Sequence, residues 1–360
     1  MIERAFGYRC CVTRALVPVL VVLVLSPLAS GSAPLAARPL KVRPAVPADD
    51  YSKPGATEWW QALAFDPGSR TVVRAVFLSR PWANFRITVL RRNESATVLG
   101  SDGMAVSRPS SPGVAMVGTS PPPGVEPPRA SLRFTGRRYV IDARSGAGAA
   151  HIEIVPKRAG PTVGPWHLGP HQTAWNPPAF VPGSRTWSAP VATGSASGWV
   201  EIDGRRLTLR RWRAYQDHTW GQFSLAESNW VHSDFAVVSP RPGEAWILNG
   251  LEASDGKYRT QPNDRLWQGV LVHVRGKRLV TCSARVHRSS WTKPISSGWF
   301  YFLPDRIRAG CGRAGSFMFR PDGGFRGVDG FGIAQEVGGS KPARGWNGWV
   351  AHATPPVPNS

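Results

Sequence analysis

The sequence predicts an all-β protein with two β-domains. Its 38 glycines and 34 prolines divide the chain into short runs rich in Val, Ile, Phe, Trp and Thr. Such runs, bounded by turn residues, are typical of strands. No segment keeps an apolar period of 3.6 over a dozen residues, which an amphipathic helix would require. The length of 360 residues suits two β-domains.

Short alternating runs predict the individual strands. In the first half of the chain we expect strands at Thr71–Leu78, Phe85–Arg91, Ser131–Phe134, Tyr139–Ala143 and His151–Val155. Farther on, two hairpins are expected, one turning at Asp203-Gly204 and one turning around Gly276. A strand from Ser228 to Val238 would carry Trp230 and His232 on one face, because alternate side chains of a strand point the same way.

Two segments are expected to be irregular. Residues 108–129 are too rich in proline for a central strand, so we expect a long exposed loop. Residues 160–198 hold aromatic residues between prolines, and we expect ordered packing between two sheet units. A boundary near Ala192 would divide the chain into an N-terminal β-domain at residues 50–192 and a C-terminal β-domain at residues 193–355.

Residues 1–33 have the order of a secretory signal peptide. Basic residues come first, then an apolar run from Ala15 to Leu25, then small residues up to Ala33. The apolar run is too short to span a bilayer comfortably. We therefore expect a mature protein that is secreted or lies at the exterior of the cell envelope.

The cysteines outside this leader are Cys282 and Cys311. In an oxidising compartment we expect them to form a disulfide worth about 3 to 4 kcal/mol, while two free buried thiols are the alternative. Two isolated cysteines lack the spacing of a zinc site. No metal and no other cofactor is expected.

The formal net charge of +21 indicates an anionic partner. For an exported protein, that partner would be an anionic envelope polymer or a membrane surface, bound in a salt-dependent way. No nucleic acid partner is expected, because the charge comes with no motif of a nucleic-acid-binding fold. An arginine-rich solvated surface without a dedicated partner is the alternative.

The segment Tyr215–Gly221 (YQDHTWG) sets ionisable groups among aromatic side chains. We expect Asp217 to be a catalytic acid, with Tyr215 as its orienting or proton-relaying neighbour. His218 and His232 are the further catalytic candidates, His232 as a base. A carboxyl with the ordinary pKa of about 3.9 is almost fully ionised at pH 7, so an acid role requires burial. The alternative is that Asp217 and His218 form hydrogen bonds that only brace the strand ends.

The tryptophans are candidate walls for an apolar ligand, because aromatic faces stabilise a carbocation. The candidate ligand-binding residues are Glu58, Trp59, Trp60, Trp187, Trp220 and Trp230. With 16 tryptophans in the chain, core packing is the alternative for each of them. The alternative for Glu58 is an ion pair with an arginine that closes the first barrel.

Three motifs follow one another in an order that resembles a known family. They are Glu58–Trp60 (EWW), Trp187–Pro190 (WSAP) and Tyr215–Gly221, the last followed by Asn229-Trp230. Together they resemble the carotenoid 1,2-hydratase and AttH-like (hydroxyneurosporene synthase-like) group of lipocalin-like proteins. The resemblance extends from Glu58 to about Leu251.

This resemblance implies two lipocalin-like, calycin-type β-barrel domains in tandem, with an apolar cavity near their junction. It also implies hydration or cyclisation of isoprenoid- or polyketide-like molecules, with Tyr215 and Asp217 as important residues. We therefore expect a protein that encloses an apolar small molecule and hydrates, isomerises or cyclises it. A non-catalytic lipid carrier or envelope-associated binding protein is the alternative. The resemblance further predicts that Glu58–Trp60 lies close to Tyr215–Gly221.

Overall fold

In this computed structural model the described residues form strands and one short helix. The structure describes residues 42–51, 57–66, 68–69, 71–79, 83–91, 94, 96–167, 184–222, 229–238, 244–254, 268–275, 278–288, 307–310, 316–328, 332–339 and 346–353. Within these ranges the helix is the 3-10 turn Pro47–Asp50, so the predicted all-β class is confirmed. No helix in the described ranges has the length and apolar character needed to cross a bilayer.

A first sheet of thirteen strands spans the chain from Val42 to Gln222. Its strands are β1 (Val42–Pro44), β2 (Thr57–Asp66), β3 (Thr71–Leu78), β4 (Asn84–Arg91), β5 (Thr97–Ser101), β6 (Met104–Ser107), β7 (Gly113–Gly118), β8 (Arg129–Phe134), β9 (Tyr139–Ser145), β10 (Gly148–Arg158), β11 (Pro161–His167), β12 (Ser184–Ile202) and β13 (Arg205–Gln222). Eleven of them run in the order β5-β4-β3-β2-β13-β12-β10-β9-β8-β7-β6, and β1 and β11 pair beside β12. All five strands predicted in this region are present.

A second sheet closes into a barrel of eight strands. Its strands are β14 (Asn229–Val238), β15 (Glu244–Ser254), β16 (Gln268–Arg275), β17 (Arg278–Arg288), β18 (Ile307–Gly310), β19 (Ser316–Val328), β20 (Gly332–Gly339) and β21 (Trp346–Ala353). The predicted strand from residue 228 to residue 238 corresponds to β14. The predicted second hairpin corresponds to β16 and β17, which pair antiparallel.

The first predicted hairpin joins β12 to β13 at Asp203-Gly204. Both residues have positive φ, 51° for Asp203 and 74° for Gly204. A two-residue turn with two positive φ angles matches the right-handed twist of the strands that it connects. This hairpin therefore sets β12 and β13 side by side over most of their length.

Both segments that were predicted to be irregular contain strands. Residues 108–129 hold β7, whose Val114 and Met116 are buried on one face, because the prolines of this segment flank the apolar run rather than interrupt it. Residues 160–198 hold β11 and the first part of β12. There, shifts in the β12–β13 register accommodate irregular positions such as Pro190. The predicted boundary near Ala192 falls inside β12, and the change of sheet comes between Gln222 and Asn229.

The two faces of β2 and β13 contribute to different cores. One face belongs to a first core of residues from the first sheet alone, including Trp60, Phe77 and Tyr139. The other face belongs to a second core, in which Leu63 and Tyr215 of the first sheet join residues of the barrel. The barrel residues are Ile247, Val272 and Val274. Because side chains alternate along a strand, neighbouring residues of β13 face different cores.

Candidate functional site

The motifs Glu58–Trp60 and Tyr215–Gly221 lie on adjacent strands. They pair antiparallel between β2 and β13, with Trp60 opposite His218 and Glu58 opposite Trp220. The predicted proximity of the two motifs is thereby confirmed. Trp187, from the remaining motif Trp187–Pro190, lies on β12, opposite Thr219.

His218 is held between two tryptophan rings on the first-core face. Its ring centroid lies 4.6 Å from that of Trp60, with 4° between the planes. On its other side the Trp220 ring lies at 4.6 Å and 29°. His218 and Trp60 are fully buried, whereas Trp220 is partly exposed. Trp220 therefore connects the buried imidazole to the surface.

Hydrogen bonds determine which nitrogen of His218 carries a proton. Nδ1 contacts the backbone carbonyl of Asp49, and because a carbonyl oxygen only accepts, Nδ1 must donate. Nε2 lies 2.8 Å from Oε1 of Glu58, which is also fully buried. If the imidazole were protonated at Nδ1 alone and the Glu58 carboxylate were ionised, Nε2 and Oε1 would both be acceptors. Two acceptors cannot form a hydrogen bond with each other. The Glu58–His218 pair therefore holds one additional proton, on Nε2 or on Oε1.

Asp50 completes this cluster, although sequence reasoning missed it. Its Oδ1 accepts a 3.0 Å hydrogen bond from Nε2 of Gln216 and lies 3.9 Å from His218 Nδ1. Burial raises the pKa of Asp50 to about 6, against the opposing effects of the charge of His218, the nearby Tyr139 hydroxyl and the hydrogen bond from Gln216. The same burial, with the nearby Asp50 charge, raises the pKa of the Tyr139 phenol above its ordinary value.

The neighbouring residue Asp49 fixes the helix that carries Asp50. Its carboxylate pairs with Arg43 and accepts hydrogen bonds from Thr162 at 2.6 Å and from Ser188 at 3.1 Å. Burial acts to raise the pKa of Asp49, but the bonds from Arg43, Thr162 and the Val46 backbone outweigh it and lower that pKa. Asp49 is therefore an ionised anchor at neutral pH.

Asp217 lies on the opposite, second-core face of β13. Its Oδ2 accepts a 2.5 Å hydrogen bond from the Tyr215 hydroxyl and a 3.2 Å bond from Nε1 of Trp187. All three side chains are buried. Asp217 and His218 thus do not act on the same side of the strand.

Polar groups also surround Asp217 on β2 and β3. Gln61 lies opposite Asp217 in the register, and its Oε1 accepts a hydrogen bond of 3.4 Å from Nε of the fully buried Arg74. Trp59, two residues before Gln61, shares this face and is buried. The second-core face therefore combines one carboxylate with polar and aromatic neighbours.

The remaining predicted site residues lie elsewhere. Trp230 and His232 are on β14 of the second sheet, where the backbone of His232 pairs with Leu251 and His352. Their predicted roles remain predictions. Cys282 lies on β17, whereas Cys311 and the predicted signal peptide lie outside the described residues. In the described ranges no three His, Cys, Asp or Glu side chains are grouped so that they could hold a metal ion.

Comparisons with known proteins bear on the fold. No protein-family model matches the chain, and no curated protein matches it. Among solved structures, CghA with Sch210972 matches at a TM-score of 0.54 and 13% identity, covering 84% of this chain and 89% of CghA.

A putative AttH from Nitrosomonas europaea matches at a TM-score of 0.55 and 10% identity, covering 86% of this chain and 96% of that protein. At these identities the matches concern the fold, and the division into two tandem domains remains a prediction. The predicted resemblance is thus confirmed at the level of the fold: this chain shares its all-β, barrel-containing fold with CghA and with the putative AttH.

Proposed function

We propose that this protein encloses an apolar small molecule, isoprenoid- or polyketide-like, and assists its hydration, isomerisation or cyclisation with an acid from the paired motifs. The observation that carries the proposal is the setting of Asp217. A fully buried carboxyl lies beside the Tyr215 hydroxyl on the face of β13 that packs toward the barrel. Apolar walls with a few convergent polar groups are the usual composition of a small-molecule site.

The chemistry follows from these residue types. For hydration, the acid donates its proton to one carbon of an alkene, and the π electrons form the new C–H bond. Water then attacks the resulting carbocation, forms the C–O bond and returns a proton to the carboxylate. In isomerisation the cation loses a proton from another carbon to the carboxylate. In cyclisation a second double bond attacks the cation, and the new cation formed in this way then loses a proton to the carboxylate. Aromatic neighbours such as Trp59 and Trp187 would stabilise the cation.

The fold likeness supports a role in small-molecule binding. The structure of CghA contains the compound Sch210972, so this fold can accommodate a bound small molecule. The likeness does not extend to named residues, because the identity is 13%. The proposed acid role rests on the contacts of Asp217 alone.

A non-catalytic carrier is the second candidate function. Two hydrogen bonds to Asp217 run from residues of the same sheet, Tyr215 and Trp187. Such bonds brace β12 against β13 without any chemistry. A carrier would then use the apolar face for binding only.

We also propose that the protein is exported and that its basic surface associates with an anionic envelope polymer or membrane surface. The leader-like residues 1–33 and the net charge of +21 support this. A Cys282–Cys311 disulfide belongs to the same proposal.

Native mass spectrometry of the purified mature protein tests enclosure. We expect wild-type protein to carry a co-purified apolar molecule that is released under denaturing conditions. The Asp203→Asn variant, changed at an exposed turn, is the matched control and should carry the same molecule. Wild-type protein that carries no small molecule would contradict both candidate functions.

A further inference from the structure

We propose that Glu58, His218 and Asp50 form a second acid–base site, separate from Asp217, in which Asp50 controls how tightly the Glu58–His218 pair holds its proton. The site lies on the first-core face of β2 and β13, and Asp50 belongs to none of the three sequence motifs. It goes beyond the proposed function, because it does not depend on Asp217 or on the barrel.

The proton itself is required by geometry. The Asp49 carbonyl forces Nδ1 of His218 to donate, so the contact of 2.8 Å between Nε2 and Glu58 holds a proton. Trp60 and Trp220 cover the two faces of the imidazole, where ring faces stabilise a positive charge. The pair therefore keeps a transferable proton in a site that excludes water.

Asp50 is placed to regulate that proton. Its carboxylate lies 3.9 Å from Nδ1, so its negative charge, when present, supports by electrostatic attraction the proton that the pair holds. When Asp50 takes up a proton, this support is lost, and the proton between Nε2 and Oε1 becomes easier to transfer. Asp50 is thus a positioning residue that acts through His218.

The surroundings of Asp50 supply few other charges. The titratable groups that face it are His218 from β13, Tyr139 from β9 and the adjacent Asp49 from its own helix. Asp49 is paired with Arg43, and Glu58 contacts Nε2 of His218, on the side of the ring away from Asp50. The state of Asp50 therefore depends chiefly on its burial and on His218.

The ligand of this site would approach at Trp220, the partly exposed member of the cluster. An uncharged molecule with a flat apolar surface suits that side chain, since a charged one would be costly to desolvate beside Glu58. The pair would give its proton to an alkene carbon of this molecule, whose π electrons form the new C–H bond, and the resulting cation would return a proton to the pair by losing one from a neighbouring carbon.

The titration of Asp50 gives a test that requires no ligand. In the unfolded chain its pKa is near the ordinary value of 3.8, and in the folded protein it is about 6. The folded state then binds more protons between these values, so the contribution of Asp50 to stability rises as the pH falls from about 6 to 3.8 and is lost as the pH rises again.

The experiment measures the free energy of unfolding of the mature protein in urea, from pH 7.5 to pH 4. We expect Asp50→Asn to remove a rise in stability toward low pH that wild type shows, while the exposed control Asp203→Asn retains it. Tyr139→Phe should move the rise to higher pH, because the hydroxyl opposes protonation of Asp50. If Asp50→Asn does not fold, Tyr139→Phe provides the test: a rise in stability at higher pH supports the inference, and a rise at the wild-type pH contradicts it.

His218→Gln tests the coupling within the site. Its loss removes the positive charge that opposes protonation of Asp50, so the rise in stability should begin at higher pH. An unchanged position in His218→Gln, or an undiminished rise in Asp50→Asn, would overturn the inference. Absence of a co-purified molecule would contradict the proposed function alone, since the urea measurements involve no ligand.

Discussion

A Trp60→Ala variant is expected to unfold with about 3 to 5 kcal/mol less free energy than wild type, the usual cost of truncating a buried tryptophan. Trp60 is fully buried in the first core. It also stacks on His218 and donates a hydrogen bond of 3.3 Å from Nε1 to the Asp50 carbonyl. Truncation would therefore leave a cavity beside a buried polar cluster. Urea unfolding at pH 7, followed by circular dichroism, measures the loss.

Trp199→Ala is the matched control for this measurement. Trp199 is half-buried at the surface, where the Arg206 guanidinium lies 4.3 Å from its ring centroid. A surface cation–π contact is worth about 0.5 to 1 kcal/mol, so this variant should lose much less stability than Trp60→Ala. Equal losses in the free energy of unfolding would show that Trp60, packed against His218, contributes no more to stability than a surface tryptophan.

Asp217→Asn is expected to separate the two candidate roles of that carboxylate. The substitution keeps the shape of the side chain and an oxygen that can accept hydrogen bonds from Tyr215 and Trp187, but it removes the transferable proton of the carboxyl. If Asp217 is the catalytic acid, turnover of the bound molecule falls by at least about 100-fold, the usual contribution of general acid catalysis, and binding remains. We expect this outcome.

A bracing role for Asp217 predicts a different result. The free energy of unfolding would then fall by about 1.5 to 3 kcal/mol, the value of hydrogen bonds to a charged group, and any binding and turnover would fall together. Urea unfolding and mass analysis of the released molecule distinguish these results on one variant. Asp203→Asn serves as the control, because Asn readily adopts the positive φ of that exposed turn.

Sequence reasoning located ten of the 21 described strands and one half of the site. Glycine and proline punctuation marks the ends of strands such as β3, and a resemblance between motifs was enough to predict that Glu58–Trp60 meets Tyr215–Gly221. Strand alternation also indicates that Asp217 and His218 face opposite ways. The strand β7 was missed, because its apolar run is short and prolines lie on both sides.

The other half of the site could not be predicted in the same way. Asp50 reaches Gln216 across 166 positions of sequence, through a 3-10 helix of four residues that has no periodicity to detect. The available signal was the acidic pair Asp49-Asp50, which follows Pro47 and Ala48 in the sequence. Only the fold shows that one carboxylate of the pair is anchored by Arg43 and the other is buried beside His218.

The position of this short helix has a consequence for the order in which the protein assembles. The β12–β13 hairpin closes over two residues, whereas the bond between His218 and the Asp49 carbonyl spans 169 positions. Closing a long loop costs more chain entropy than closing a short one, and contacts distant in sequence slow folding. The hairpin should therefore form early, and the N-terminal segment should dock onto it late. The cluster around His218 is then among the last parts of the chain to acquire its native contacts.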